Sequence, residues 1–340
     1  MKAALVTQNQ TAQACGRAVL DRTTPLKREI WAQLISSCVL VAGRIAFKCY
    51  AHGQSLWWDD HMVVLLFIFG GIPNMAITLA VTIPAGLGVD IWALPFENVT
   101  TIFRGNFIQS VLYFPQVALL KFTFLFFFLR IFPGRKTQLL IKGTFAFCAL
   151  YGIAFVLAAI IQCAPIEYYW AWDGTGHGKC VDRNAILWAS AVISIALDVW
   201  MLAIPLWNIR TLCMPLKRKL GVASMFLVGT LYVKSPTATK YIGRRELCPR
   251  TQQHMLYKGR LVVLTTLCIS VTIVCCVRLK YLNDFFSSSN PTQDLFEIIR
   301  WSTIEGYASV TCASMPVFRL MLMRGYTKTL TILKLRGSGL

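Results

Sequence analysis

Charged residues are scarce in this sequence. Only 14% of its 340 residues are Asp, Glu, Lys or Arg, whereas 56% are hydrophobic. A soluble globular domain usually has about 25% charged residues, so a surface of that kind is excluded. The chain has only four His residues and no His-x-x-x-His or Cys-x-x-Cys pair, so no metal site is expected. This composition predicts a polytopic membrane protein.

Motifs for enzymatic chemistry are also missing. The sequence has no Gly-x-Ser-x-Gly, no phosphate-binding loop and no Rossmann glycine pattern, so we expect no enzymatic activity. No cofactor is expected, because a retinal Schiff base needs a Lys in the last apolar run, 298–318, which has none. Asp-Arg-Tyr and Asn-Pro-x-x-Tyr are absent from their usual places, so G-protein coupling by the animal mechanism is unsupported.

Long apolar runs are what the sequence does contain. Each intact run approaches the roughly 20 residues that a helix needs to cross about 30 Å of hydrocarbon. Helices are expected because lipid cannot satisfy free backbone N–H and C=O groups. The predicted fold is therefore all-α, a polytopic bundle of seven transmembrane helices. Six of the seven spans are intact, at 30–47, 61–83, 106–129, 139–162, 185–209 and 298–318.

The sixth span is interrupted. Apolar residues 220–229 and 270–277 would together make one span, but residues 230–269 separate them. Within this insert, 232–260 holds seven basic residues, one acidic residue and two prolines, so it cannot lie in hydrocarbon. The insert is either a retained intron or a genuine long cytoplasmic loop that leaves 261–277 as the working span. Both explanations keep seven spans.

Positive charge determines the predicted orientation. The chain has 34 basic and 15 acidic residues, a net charge of +19. The basic residues lie in short clusters between apolar runs, as in cytoplasmic loops, so we expect no nucleic-acid partner. Residues 1–29 then form an outer tail, 30–320 the membrane domain and 321–340 a cytoplasmic tail. The expected location is the plasma membrane or an endomembrane, with the lipid bilayer as partner.

Three ionisable side chains fall inside the predicted spans, namely Lys121, Asp198 and Glu305. Because a lone charge in hydrocarbon is costly, we expect them to face the bundle interior and form a buried polar network. Such a network either binds a ligand, ion or proton or serves only to lock the helix packing, and both interpretations remain open.

The loops contain two further kinds of candidate site. Cys163 and Cys180 flank an outer loop, where an oxidising compartment favours a disulfide. Asn98-Val-Thr100 and Asn9-Gln-Thr11 are N-glycosylation sequons on predicted outer segments.

Charged residues also lie near the predicted inner ends of the spans. We expect Arg44 and Arg130 to extend toward the aqueous interface. Asp59 and Asp60 are expected to cap the second span, because acidic groups favour a helix N-terminus.

An ordered set of motifs resembles the fungal rhodopsin-domain integral membrane proteins, the group named after a satratoxin-cluster protein. These motifs are Trp58-Asp59-Asp60, Gly86-Leu-Gly88 with Ile91-Trp92, Leu120-Lys121, Leu129-Arg130-Ile131-Phe132, Gln162-Cys163-Ala-Pro165 with Trp170, Gly178-Lys179-Cys180, Asp198 before Pro205, Met214-Pro-Leu-Lys-Arg-Lys219, and Glu305 before Pro316. The resemblance covers about 30–324 apart from the insert. The chain departs from the family pattern at Val89-Asp90 and at Ala93.

The resemblance implies a seven-span fungal membrane protein of a kind whose molecular role is often undefined. Some members are encoded in secondary-metabolite clusters, and some relatives are proposed receptors. It also implies that Cys163 and Cys180 are the family's outer-loop cysteines, and that Lys121, Asp198 and Glu305 are its buried polar positions. We expect a receptor-like or metabolite-cluster-associated protein with an unidentified small-molecule ligand. The alternative is a small-metabolite transporter or accessory component, although no internal repeat is detected.

Overall fold

The computed structural model describes residues 2–16, 18–51, 57–172, 177–210, 277 and 291–337. Five helices in this part of the chain are long and apolar enough to cross a membrane. They are Thr23–Tyr50, Trp58–Thr82, Phe96–Ile131, Arg135–Ile161 and Ala185–Ile204. The first five predicted spans are therefore present as helices. The split sixth span and its insert lie outside the described residues, so the count of seven and the orientation remain predictions.

The described elements are helical apart from one short hairpin. The helices are α1 (Lys2–Ala14), α2 (Thr23–Ala46), α3 (Trp58–Leu65), α4 (Ile72–Ile77), α5 (Phe96–Ile131), α6 (Arg135–Ile161), α7 (Arg183–Arg210) and α8 (Pro291–Gly337). The hairpin pairs β1 (Cys163–Ala164) with β2 (Lys179–Cys180) in antiparallel register. Single 3₁₀ turns lie at Ile91–Ala93 and Ile166–Tyr169.

The second span is not a regular α-helix. π-helical stretches at Leu66–Gly71 and Thr78–Thr82 follow α3 and α4, and a third, Phe47–Ala51, ends the first span. Pro73 lies just after the Leu66–Gly71 stretch. Because proline has no N–H and its ring crowds the preceding turn, it favours a local change of helical geometry at this point. The distortion next to Pro73 therefore takes the form of a wider helical turn.

The third span begins ten residues earlier than predicted. α5 starts at Phe96, directly after Pro95, whereas the apolar run suggested 106. Glu97 and Arg104 lower the apolarity of this first stretch, which is why the hydropathy pattern excludes it. Residues 96–107 instead pack against the loop between α6 and α7.

The last predicted span, 298–318, lies within α8, which continues to Gly337. The structure thus joins the predicted span and most of the predicted 321–340 tail in one helix. The predicted N-terminal tail, 1–29, also contains structure that the sequence did not suggest, because α1 occupies residues 2–14.

The described residues divide into two units. Residues up to Leu197 belong to one unit together with α8, and residues from Asp198 to the end of α7 belong to another. All contacts reported below lie within the first unit.

An apolar core joins α2, the second span, α5 and α8. Its buried side chains include Ile30, Met75, Ile102 and Phe296. The loop after the second span closes over this core through Gly88, whose φ of +94° favours glycine. A Cβ at Gly88 would lie 2.7 Å from the Phe296 ring, so glycine also allows the loop to approach α8 closely.

Candidate functional site

Five charged residues, four of them buried, form a cluster at one end of the bundle. They are Arg44, Lys48, Asp59, Asp60 and Arg130, here called the ionic cluster. Its centre is the Arg44 guanidinium, which lies 2.8 Å from Asp59 Oδ2 and 2.8 Å from Asp60 Oδ1. Lys48 Nζ also donates a hydrogen bond to Asp60 Oδ2. The carboxylates of α3 are therefore neutralised by cations from the first span.

Arg44 also reaches the last described helix. Its Nη1 donates a hydrogen bond to the carbonyl oxygen of Ala313 in α8. Arg44 is only 4% exposed, so the prediction that it extends to the aqueous interface is wrong. The Arg44 side chain stays buried because two carboxylates and a helix carbonyl oxygen accept hydrogen bonds from its guanidinium.

Arg130 connects α5 to the same cluster from its margin. One of its Nη atoms lies 3.6 Å from Asp59 Oδ1, and its guanidinium lies over the Trp57 ring. Asp60 accepts a 3.1 Å hydrogen bond from the Trp57 backbone N–H, so the predicted capping of the second span is confirmed for Asp60. Capping is only one of its roles, since the same carboxylate pairs with Arg44 and Lys48.

Neutral polar side chains form a second cluster deeper in the bundle. Gln109 Nε2 donates to Thr78 Oγ1 at 2.6 Å, and Asn74 Nδ2 lies 3.4 Å from Gln116 Oε1. All four residues are buried, and we call them the amide cluster. Within the described part of the chain, no donor reaches Gln109 Oε1. The cluster thus presents one hydrogen-bond acceptor that the described residues leave unused.

The amide cluster is also a point of close helix approach. A Cβ at Gly306 would lie 2.3 Å from Gln116 Nε2, and a Cβ at Gly70 would lie 2.8 Å from Gln116 Cγ. Gln116 therefore fills a space that two glycines, from the second span and α8, leave open. Small residues of this kind allow helices to pack closely in membranes.

The structure places all three predicted intramembrane charges in buried positions. Tyr113 OH donates to Glu305 Oε1 at 3.1 Å, and Lys121 Nζ donates to the Ser194 carbonyl oxygen at 3.1 Å. Asp198 is buried in α7. These hydrogen bonds connect α5 with α8 and α5 with α7. Whether Lys121, Asp198 and Glu305 form one network stays a prediction.

The predicted disulfide between Cys163 and Cys180 is present. It joins β1 to β2 and closes the loop between α6 and α7. This loop is anchored on α5, because Asn106 Nδ2 donates to Tyr169 OH at 2.9 Å and Trp172 Nε1 donates to Thr100 Oγ1 at 3.1 Å.

Both sequons lie in helices. Asn98 is in the first turn of α5, and Thr100 of the same sequon accepts the Trp172 hydrogen bond. Asn9 lies in α1, where its Oδ1 accepts a hydrogen bond from Gln13. Glycosylation of Asn98 and Asn9 stays a prediction.

The loop between the second and third spans contains Val89-Asp90 and Ala93, where the chain departs from the family pattern. Asp90 Oδ2 accepts a 3.0 Å hydrogen bond from the Leu20 N–H, and the Gly88 carbonyl accepts one from the Arg22 N–H. Asp90 therefore fixes the segment that leads into α2. Thr292 Oγ1 also donates to the Val89 carbonyl, so the loop contacts α8 as well.

The amide cluster was not predicted from the sequence, because its residues are not ionisable. The spacing of polar residues in α5 nevertheless indicates it. Gln109, Tyr113 and Gln116 are spaced at i, i+4 and i+7, which places them on one face of α5. Among the described residues, no three His, Cys, Asp or Glu side chains are grouped so that they could hold a metal ion. The donors and acceptors of the amide cluster suit hydrogen bonding to a small molecule rather than metal coordination.

Comparison with known proteins identifies relatives of the chain. A curated SAT4 family membrane protein from Emericella nidulans is 29% identical over 124 residues, 36% of this chain and 32% of that protein. The polyenoic acids biosynthesis gene cluster protein Ba17b from Metarhizium anisopliae is 21% identical over 214 residues, 62% of this chain and 58% of that protein. The chain thus spans less than two thirds of the length of either relative. No solved structure matches it significantly.

A family profile accounts for most of the sequence. The fungal rhodopsin domain matches residues 43–236 and 247–324, and so includes the ionic cluster, the amide cluster and the disulfide. The unmatched residues 237–246 lie inside the predicted insert. The chain belongs to the fungal rhodopsin domain family of membrane proteins.

Proposed function

We propose that this membrane protein is receptor-like or associated with a secondary-metabolite cluster, and that it binds a small molecule at the amide cluster without converting it. The proposal includes seven spans, an outer N-terminus, a cytoplasmic C-terminus and the absence of an enzymatic activity or a cofactor. It also includes the bilayer as partner, no nucleic-acid partner and no coupling to G proteins by the animal mechanism.

The observation that carries the proposal is the unused acceptor of Gln109. A buried polar atom without a hydrogen-bond partner costs about 1–3 kcal/mol. In hydrocarbon, water does not compensate for it freely, so such a group is retained where a bound molecule supplies the donor. Nε2 of the same Gln109 side chain donates to Thr78 Oγ1 and to the Asn74 carbonyl oxygen, and the Asn74 side chain donates to Gln116.

The nature of the small molecule is suggested by one relative. The Metarhizium protein is named for a polyenoic acid biosynthesis gene cluster. A polyenoic acid combines a carboxyl group, which donates a hydrogen bond when it is protonated, with a long apolar chain. Such a molecule suits a polar cluster enclosed by apolar helices.

Calorimetry on the protein in lipid nanodiscs tests the proposal. Polyenoic acids of increasing chain length, beginning with sorbic acid, are titrated into wild-type protein and into empty nanodiscs. We expect saturable binding that Gln109→Leu weakens by about tenfold, which corresponds to about 1.4 kcal/mol. Val39→Leu, at a position that is 64% exposed on the first span, serves as the control and should bind normally.

Three outcomes contradict parts of the proposal. Equal binding by wild type and Gln109→Leu removes the amide cluster as the site. Heat no greater than that of empty nanodiscs across all the acids removes this ligand class. Recovery of a chemically altered acid after incubation shows that the protein is an enzyme.

Transport is the second candidate function. It is favoured by the π-helical stretches Leu66–Gly71 and Thr78–Thr82, because transporters commonly place interrupted helices at their binding sites. Uptake of a labelled polyenoic acid into proteoliposomes distinguishes the two functions. Uptake that exceeds leakage supports a transporter, whereas saturable binding without uptake supports a receptor-like role.

Topology mapping tests the proposed arrangement in the membrane. Tags are inserted at Gly53, Thr175, Lys240 and the C-terminus, and their protection from protease is measured in intact vesicles. We expect only the tag at Thr175 on the outer side. A tag at Lys240 on the same side as Thr175 contradicts the proposed orientation of the insert.

A further inference from the structure

The N-terminal helix α1 lies against the end of the bundle that contains the disulfide. Leu5 packs on a buried apolar cluster formed by Ile91, Val99 and Phe103. Ile91 begins the 3₁₀ turn after the second span, and the other two residues come from the first part of α5. α1 therefore covers the junction of two spans.

Aromatic side chains from the disulfide loop complete the same surface. Trp170 and Trp172 pack against the cluster beside Leu5. Trp170 also stacks edge-on with Phe107, and the Arg104 guanidinium lies 5.2 Å from its ring centre. The disulfide and the hydrogen bonds of Tyr169 and Trp172 hold these rings independently of α1. The site under Leu5 is therefore preformed.

α1 itself buries very little. Ala12 is its only buried residue, and its sequence from Thr7 to Gln13 is mostly polar. Val6, next to Leu5, is 46% exposed. Besides Leu5, the Lys2 ammonium lies 5.8 Å from the centre of the Phe96 ring. A helix with so small an apolar face gains little from docking.

Residues 15–16 and 18–20, which follow α1, are not helical. Gly16 has a φ of +61°, which interrupts the helix, and Val19 and Leu20 are exposed. The chain is then fixed by the hydrogen bond from the Leu20 N–H to Asp90. α1 can therefore leave the surface while residue 20 stays in place.

We propose that α1 is a displaceable cover over an apolar binding site, and that a small molecule with a branched aliphatic group, similar to the leucine side chain now packed there, enters by displacing Leu5. The bound group then contacts Ile91, Phe103 and the two tryptophans where the leucine side chain now lies. This site is separate from the amide cluster, so the proposal does not depend on the function argued above.

Cysteine labelling tests whether the cover opens. Ile91, which is 5% exposed, is replaced in a background in which the exposed cysteines Cys15, Cys38 and Cys49 are changed to Ser, and the rate of labelling of I91C by a maleimide is measured in nanodiscs. Adding Leu5→Asp should raise this rate about tenfold, because the aspartate opposes docking. Val6→Asp, on the exposed side of the same helix, should change it less than twofold. Equal rates in the two variants overturn the cover.

A second pair of variants tests the ligand. Leu5→Cys and Val6→Cys are labelled, each in the background in which Cys15, Cys38 and Cys49 are changed to Ser, with and without 3-methylbutanol, which resembles the leucine side chain. We expect the alcohol to accelerate labelling of L5C about threefold and to leave V6C unchanged. An unchanged L5C rate overturns displacement by an apolar molecule. Acceleration at both positions also overturns it, since a general effect on α1 or on the lipid then explains the result.

Discussion

The Arg44 guanidinium and the Asp60 carboxylate lie 2.8 Å apart at the centre of the ionic cluster. The two residues come from different spans and are both almost completely buried. Since Arg44 also binds the Ala313 carbonyl of α8, one side chain connects three segments of the bundle. The arrangement explains why charges near the ends of spans need not face water.

Arg44→Met should destabilise the protein strongly. Among the described residues, the variant leaves two neighbouring carboxylates with Lys48 and the more exposed Arg130 as their cationic partners. Removal of one partner from a buried ion pair costs about 3–5 kcal/mol, so a marked fall in the midpoint of thermal unfolding in detergent is expected. Arg135→Met is the control, because Arg135 is exposed at the start of α6.

Asp60→Asn combined with Arg44→Met should lose less stability than the two single changes added together. The double variant removes both charges of the central pair, which leaves fewer uncompensated groups. Thermal unfolding of the four proteins in this cycle gives the coupling directly. Strict additivity would show that Arg44 stabilises the protein mainly through Asp59 and Ala313 and not through Asp60.

Gly306→Ala should disturb the amide cluster through steric overlap alone. The new methyl group would lie 2.3 Å from Gln116 Nε2, and overpacking of this kind costs about 1–3 kcal/mol. Gly43→Ala is the matched control, because no atom lies within 4 Å of the Cβ position in that helix. We expect the unfolding midpoint to fall for G306A and to stay equal or rise for G43A.

The additional change Gln116→Ala should relieve G306A. Because the overlap is with the Gln116 side chain, its truncation makes room for the methyl group. The double variant should therefore be at least as stable as Q116A alone when unfolding midpoints are compared. A double variant less stable than Q116A would show that the methyl group strikes the backbone instead.

Tyr113→Phe should reveal the hydrogen bond to Glu305. A hydrogen bond to a charged group contributes about 1.5–3 kcal/mol, so the variant should unfold at a lower temperature. Glu305→Gln supplies the second arm of a double-mutant cycle. Tyr50→Phe is a suitable control, since Tyr50 is 91% exposed. No coupling between positions 113 and 305 contradicts the pairing.

Replacement of Cys163 and Cys180 by Ser should loosen the loop that carries the tryptophans. Closing a loop of this length by a disulfide stabilises a protein by about 2–4 kcal/mol. We expect faster protease cleavage between α6 and α7 in the double serine variant. Cys15→Ser, which removes a free exposed cysteine, should leave the cleavage rate unchanged.

Hydropathy predicted the first five spans well because apolar length is a local property of the sequence. It placed the start of α5 too late, since Glu97 and Arg104 interrupt the apolar pattern in a helix that continues beyond the apolar run. α1 was missed for a related reason, because its polar sequence has no amphipathic pattern that distinguishes it from a tail.

The ionic cluster could be predicted only in part. Asp60 was recognised as a cap because capping depends on neighbouring residues. Its pairing with Arg44 depends on how two spans pack, and a charge near the end of a span has the same sequence signature whether it faces water or a partner helix. Gln109 and Gln116 were overlooked because neutral amides interrupt an apolar run less clearly than charges.

Because of its two π-helical stretches, the second span cannot be represented by a regular α-helical wheel. A π turn takes in about one extra residue, so side chains beyond it rotate by roughly 100° relative to a regular α-helical wheel. A wheel drawn from Trp58 would therefore direct Asn74 and Thr78 away from α5, although both contact Gln109 there. Deletion of one residue between Leu66 and Gly71 should accordingly restore a regular α-helical turn there and leave Asn74 and Thr78 directed toward α5.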